Sequence, residues 1–177
     1  MSDSNNNKTL VAYASKHGAT REIAKKISEH FSNKGIQNSL VPVEEVESLS
    51  QFENIILGSA VYIGQWQKTA VKFLKGYQEI LASKNVWLFS TGPTGEGDPV
   101  ELMKGWKFPE GLQPIADKIK PIDVAVFHGA LDESKLNIFE KMTIKIVKAP
   151  IGDFRNWKKI EDWALEMINT IQTAKSN

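Results

Sequence analysis

Lys8-Thr-Leu-Val-Ala-Tyr-Ala14, then Ser15-Lys-His-Gly-Ala-Thr20, then a change of hydrophobic period: this stretch decides the fold. The first run is rich in strand formers and lies between a polar tail and a Ser-Lys-His-Gly turn, so it reads as a short buried strand. From Thr20 the spacing becomes helical. Ile23, Ile27 and Phe31 recur four apart on one face, while Lys25, Lys26 and Glu29 fall elsewhere. The Thr20 hydroxyl is placed to accept a backbone N–H of the first turn as an N-cap, and Gly35 offers the stop. The unit is strand, tight loop, helix.

The same grammar extends along the chain. Ser39 to Val43 reads as a weak strand and Asn54 to Gly58 as a stronger one. Thr69 to Ile80 has Ala70, Phe73, Leu74 and Tyr77 on the inner side of a helix. Asn85 to Ser90 and Ile122 to Phe127 supply two more strands, with a helix over Leu112 to Ile119 between them. The last helix starts near Trp157, and Ile160, Trp163, Ala164, Met167, Ile168 and Ile171 trace its buried face. Near-continuous apolar strands alternating with helices require a parallel sheet covered on both faces. Five strands fit an α/β doubly wound sheet in the order 2-1-3-4-5 better than a barrel, which needs eight repeats. In that topology ligands bind beyond the carboxyl ends of the strands, which directs attention to the loops after strands one, three and four.

The 177 residues correspond to about one domain, expected over 8–173 after a disordered tail at 1–7. At 41% hydrophobic and 24% charged residues, disorder and fibrous architectures are excluded. Lys plus Arg number 22 against 21 Asp plus Glu, a net charge of +1 that gives no global field for nucleic acid. The absence of cysteine removes disulfides, thiolate metal sites, iron–sulfur clusters and a cysteine nucleophile. His17, His30 and His128 are scattered without a ligand-spaced acidic cluster, so no metal is expected. The start MSDSNNN lacks signal-peptide regions and no apolar run approaches about 18 residues, so a cytoplasmic protein is expected.

Three loops could carry chemistry. The first, Ser15-Lys16-His17-Gly18-Ala19-Thr20, opens a helix, whose free N–H groups and dipole favour an anion such as phosphate. An ordinary capped strand–helix turn uses the same residue types. It lacks both G-x-x-x-x-G-K-[ST] and G-x-G-x-x-G, arguing against a nucleoside triphosphatase and against the usual dinucleotide site. The second, Ser59-Ala60-Val61-Tyr62-Ile63-Gly64-Gln-Trp66, reads as an exposed loop offering flat aromatic surfaces to a ring system; core packing of Tyr62 and Trp66 is the alternative. The third, Ser90-Thr91-Gly92-Pro93-Thr94-Gly95, has a backbone free to hydrogen-bond a heterocycle, or is simply a flexible connection. Trp106 and Phe108 either line an entrance or anchor a long loop.

Together the loops resemble the flavodoxin superfamily. Ser15-x-His17-Gly18-x-Thr20 is similar to its phosphate-loop pattern S/T-x-T-G-x-T, departing at His17, where a hydroxyl is usual. The resemblance implies a flavodoxin-like fold and flavin mononucleotide, FMN, with its phosphate on Ser15, Lys16, His17, Gly18, Ala19 and Thr20. It also implies that the isoalloxazine lies between Ser59, Ala60, Val61, Tyr62, Ile63 and Gly64 on one side and Ser90, Thr91, Gly92, Pro93, Thr94 and Gly95 on the other.

A narrower resemblance rests on Gly58-Ser-Ala-Val-Tyr-Ile-Gly64, His128-Gly-Ala-Leu131, Phe139-Glu-Lys-Met-Thr-Ile-Lys145 and Asp162-Trp163. In that order they resemble the flavodoxin-like protoporphyrinogen oxidases, quinone-dependent dehydrogenases of haem synthesis. The expected partners are a small redox substrate such as a tetrapyrrole and a quinone or redox-protein acceptor. An electron-carrier flavodoxin is the rival, although carriers have acidic surfaces and this chain is near neutral. No general base can be assigned from spacing. The 132–156 insertion before the last helix places Phe139, Met142 and Ile146 on one face and Lys141, Lys145 and Lys148 on another. It reads as an amphipathic helix, either packed on the sheet edge or presenting a hydrophobic, cationic rim near the flavin, with peripheral membrane contact through 135–148.

Overall fold

The computed structural model describes residues 8–175; the tail expected over 1–7 lies outside the described residues. Strand β1 (Lys8–Ala14) leads into helix α1 (Ala19–Asn33), then β2 (Asn38–Pro42) and β3 (Phe52–Tyr62). A short β4 (Gln65–Trp66) precedes α2 (Lys68–Leu81), β5 (Asn85–Thr91) and a one-turn helix α3 (Pro99–Leu102). Helix α4 (Gln113–Ile119), β6 (Asp123–Phe127) and β7 (Ala130–Leu131) follow. Helix α5 (Ile138–Val147), β8 (Gly152–Asp153) and α6 (Trp157–Lys175) complete the described elements.

The main sheet is parallel in the order β2-β1-β3-β5-β6, the expected 2-1-3-4-5 arrangement of five principal strands. Because side chains alternate across a strand, each apolar strand supplies both faces of the sheet. Leu10, Ala12, Ile55, Leu57, Val86 and Leu88 pack toward α2 and α4. Val11, Ile56, Trp87 and Phe89 pack toward Ile23, Ile27 and Phe31 of α1 and Ile160, Trp163 and Ile168 of α6. This double covering explains why the strands read as near-continuous hydrophobic runs. The end of α1 is equally local: Gly35 takes φ 71°, and Ile36 and Gly35 donate backbone N–H groups to the Phe31 and Ser32 carbonyls. That pair of bonds closes a helix on a left-handed glycine.

Two local expectations are corrected, and one small element is added. Gly18, not Thr20, holds the N-cap position of α1 at φ 98°, and no side chain caps the helix. The turn requires a left-handed backbone that glycine adopts without cost, so the helix begins one residue before Thr20, which is buried in its first turn. The second loop is not a free loop. Strand β3 continues to Tyr62 and turns through Ile63 and Gly64 into β4, which pairs with it antiparallel. The base of the insertion is a further small sheet, with Ala130 opposite Asp153 and Leu131 opposite Gly152.

Candidate functional site

Beyond the carboxyl ends of β1, β3 and β5 lies a cavity of about 370 Å³. It brings together the three candidate loops and adds a fourth wall, the insertion. Ser15, Lys16, His17, Ala19 and Thr20 line it from the first loop, and Ala60 through Gly64 from the β3–β4 hairpin. Thr91, Gly92, Pro93 and Thr94 line it from the third loop, and Leu136, Thr143, Ile144, Val147 and Ala149 from the insertion.

Gly18 does not line the cavity but shapes it: its N–H donates to Ser15 Oγ at 3.1 Å, closing the loop around the start of α1. With no side-chain cap, the first amides of this helix have no intrahelical acceptor. Thr20 Oγ1 and Thr91 Oγ1 are both buried without a hydrogen-bond partner, and both residues line the cavity. An unpaired buried hydroxyl costs free energy unless something supplies its partner. Uncapped amides, a buried hydroxyl and the positive end of a helix dipole fit an anion at the first loop, and the Thr91 hydroxyl fits a polar edge deeper in the slot. The residues present therefore fit a phosphorylated, ring-bearing cofactor.

Ser59, Ser90 and Gly95 do not line the cavity. Ser59 Oγ accepts the Gln67 N–H at 3.0 Å and donates to the Ala60 carbonyl. Ser90 Oγ accepts the Trp66 indole N–H at 2.8 Å and donates to the Lys107 carbonyl at 2.9 Å. Trp66 is thus a core residue, buried with its ring edge-on to Phe108, and this contact makes Phe108 an anchor for the long segment after β5. His128, not singled out for this purpose by its sequence context, ties the third loop down. Its Nδ1 lies 3.1 Å from the Pro93 carbonyl and its Nε2 2.9 Å from the Gly97 carbonyl.

The residue that sequence reasoning missed is Glu140. It is the buried residue of α5, and its Oε1 lies 2.5 Å from Lys16 Nζ and 3.0 Å from His17 Nε2. Asn137 and Glu140 also form a reciprocal capping box, Asn137 N–H to Glu140 Oε2 and Glu140 N–H to Asn137 Oδ1, each at 2.9 Å. Lys16 in turn stands 5.8 Å above the Tyr62 ring, so one ammonium touches the first loop, the hairpin and the insertion. The spacing Asn-x-x-Glu before an apolar run signalled the cap; nothing local signalled the partners in the first loop.

The Lys16 ammonium, with the Asn137 N–H and His17, holds the Glu140 carboxyl down at about 2. A lowered carboxylate pKa contributes stability that is complete above its ordinary value of 4.5 and is lost as pH falls toward about 2. The melting-temperature gap between the parent and Glu140→Gln is therefore expected to be widest near neutral pH and to close across that acidic window. Thermal melts over a pH series check this, and a gap independent of pH would show that the ion pair adds nothing.

Among the described residues no group of three or more His, Asp or Glu side chains is placed to hold a metal ion, and no helix is long and apolar enough to cross a membrane.

The sequence is 21% identical to protoporphyrinogen IX dehydrogenase [quinone] of Escherichia coli over 174 residues, covering 92% of this chain and 95% of that protein. Among solved structures, a flavodoxin from the domain Archaea superposes with a TM-score of 0.61 at 13% identity, over 93% of this chain and 99% of that one. A Fusobacterium nucleatum flavodoxin variant bound to flavin mononucleotide superposes with a TM-score of 0.55 at 20% identity, over 97% and 98%. These neighbours share the fold found here. Residues 10–156, from within β1 to the far side of the insertion, match the family described as Flavodoxin domain, and the chain belongs to that family.

Proposed function

We propose that this protein is an FMN-binding oxidoreductase acting on a small, largely apolar substrate, of the protoporphyrinogen dehydrogenase type. The observation that carries the reading is the roof that the insertion places over the cavity: Leu136, Ile144, Val147 and Ala149 enclose the slot between the hairpin and the third loop. A carrier that exchanges electrons with proteins needs its cofactor edge open to them. A slot with an apolar lid instead suits a flat substrate stacked beside the cofactor. The relationship to the E. coli dehydrogenase, though distant, points the same way and suggests a tetrapyrrole donor from haem synthesis with a quinone acceptor.

When bound, FMN supplies the two-electron redox chemistry. The chain's own residues bind and orient. The first amides of α1, Ser15 and Thr20 would hold the phosphate, with the Lys16 ammonium and the His17 ring held beside them by Glu140. Tyr62 flanks the ring, and the third-loop backbone, held by His128, reads its polar edge. Ile144 covers the outer side of the slot and Val147 stands at its rim.

FMN is expected to bind more tightly than FAD or NAD, because one terminal phosphate fits the first loop and no dinucleotide fingerprint is present. Titration followed by flavin fluorescence checks this, and tighter FAD binding would overturn it. The FMN-loaded protein mixed anaerobically with protoporphyrinogen should lose its flavin absorbance and regain it on addition of a quinone. Loss of absorbance with a reduced redox protein but not with protoporphyrinogen would assign the electron-carrier role instead.

A further inference from the structure

Helix α5 is apolar on two sides: Ile144 and Val147 line the cavity, and a second apolar face looks away from it. An amphipathic helix on a globular protein ordinarily turns its apolar stripe inward. Here Glu140 is buried on Lys16 and His17, whereas Phe139 and Ile146 are each 77% exposed and Met142 lies on the same outer side. The ion pairs and the capping box fix this orientation, so the outward apolar face is set by the fold.

A second observation comes from a different element. Ile63, at the tip of the β3–β4 hairpin, is 74% exposed at φ 50°. Two-residue hairpin turns with left-handed backbone favour Asn, Asp and Gly, and a β-branched residue in that conformation is strained. Such strain persists where the side chain itself has a use. Ile63 and Val147 both line the same cavity, so the strained tip and α5 stand on one mouth. The apolar rim continues beyond α5: Pro150 and the exposed Leu102 both approach Gly95, and exposed Ile151 follows Pro150.

Charge selects the occupant. Lys135, Lys141, Lys145 and Lys148 belong to this segment, and the one acidic side chain within 135–151 is Glu140, which Lys16 neutralises; at the far end of the rim Glu96 and Glu101 neighbour Gly95 and Leu102, and Asp98 pairs with Lys159. A second copy docking through the same patch would bring lysines against lysines. An anionic bilayer offers hydrocarbon for the isoleucines and phenylalanine and headgroup charge for the lysines, the pattern of helices that lie in a membrane interface.

We infer that the cavity mouth docks on an anionic phospholipid membrane, with Ile63, Phe139, Met142 and Ile146 entering the interface and the flanking lysines contacting headgroups. The surface is defined by these exposed residues whether or not the cavity holds a flavin, so its failure and that of the proposed function are separable. Docking in this orientation brings the cavity mouth to the bilayer, where a lipid-soluble reactant would enter.

The test is co-sedimentation of the full chain with vesicles of phosphatidylcholine alone and of phosphatidylcholine with phosphatidylglycerol. Binding is expected with phosphatidylglycerol, several-fold weaker with phosphatidylcholine alone, and weakened by salt, because exposed charges are screened over about 8–10 Å. Phe139→Ser with Ile146→Ser should lower partitioning about tenfold or more by removing two buried apolar side chains. Ile63→Asn should lower it too, while the melting temperature stays level or rises, since Asn accepts the left-handed turn. Parent protein that ignores phosphatidylglycerol vesicles, or binding that these variants and salt leave unchanged, would overturn the inference. So would a dimer in sedimentation equilibrium that the Phe139→Ser, Ile146→Ser variant dissolves, because the face would then belong to a second copy.

Discussion

Thr20→Val is expected to weaken FMN binding by about ten- to a hundredfold while leaving the flavin-free protein as stable as the parent or slightly more so. Hydrogen bonds to charged groups contribute about 1.5–3 kcal/mol, and the Thr20 hydroxyl is the side-chain donor of the first loop without a partner of its own. The two effects have opposite signs for one reason. In the flavin-free protein Oγ1 is buried and unpaired, so replacing it with a methyl removes an unmet demand rather than a bond. With phosphate present, the same oxygen has a charged acceptor. Riboflavin, which lacks the phosphate, should bind the variant and the parent alike. Equal losses for FMN and riboflavin would move Thr20 away from the phosphate, and a clear fall in the melting temperature of the flavin-free variant would show that the hydroxyl already serves the fold. Ser15 provides the contrast, since its Oγ accepts the Gly18 N–H and its loss should distort the loop itself.

The fold was legible because its determinants are local and periodic. Leu10 to Ala14, Asn54 to Gly58 and Asn85 to Ser90 read as doubly buried strands, and the structure packs alternate residues of each on opposite faces. The Ile23, Ile27 and Phe31 spacing marked the buried face of α1, and the parallel order followed from strand–helix alternation. Where a single residue's backbone decided the outcome, the reading slipped. Gly18 at φ 98° starts α1 earlier than a threonine cap would, and an isoleucine at φ 50° makes a hairpin where turn chemistry asks for Asn or Gly.

The site was legible in its loops but not in its pairings. The positions of the first and third loops followed from the topology, whereas the fates of individual side chains depended on contacts far apart in sequence. Ser90 looks like a loop hydroxyl, yet Trp66 and Lys107 claim it. The insertion's apolar and basic faces were visible in the spacing of Phe139, Met142 and Ile146, but its orientation was not. That depends on Glu140 meeting Lys16 and His17, the latter 123 residues away, and an ion pair of that reach leaves no periodic trace. Helix amphipathicity alone does not choose between a face with Ile144 and Val147 and one with Phe139, Met142 and Ile146.

Gly58→Ala is expected to be among the most damaging single-methyl additions in the chain, lowering stability by about 3 kcal/mol or more, toward and beyond the upper end of ordinary overpacking costs. Gly58 stands opposite Phe89 across β3 and β5, and a Cβ there would lie 1.9 Å from the tip of the Phe89 ring. The ring cannot step aside, because Phe127 and Trp163 both pack against it, at centroid distances of 5.9 Å. Relief would have to come from spreading two central strands or from repacking α6 on the sheet. Each kcal/mol shifts the melting temperature of a domain this size by about 2–4 °C, so a fall of roughly 6–12 °C or failure to fold is expected. Phe89→Leu, which shortens the blocking ring, should lose packing energy alone yet recover stability when combined with Gly58→Ala, giving a double-mutant coupling of opposite sign to simple addition. Additive losses would mean that the methyl group is accommodated elsewhere. A Gly58→Ala protein that melts with the parent would refute the close approach itself, and with it the placement of Phe89 over the central strand that orders the aromatic core beneath α1 and α6.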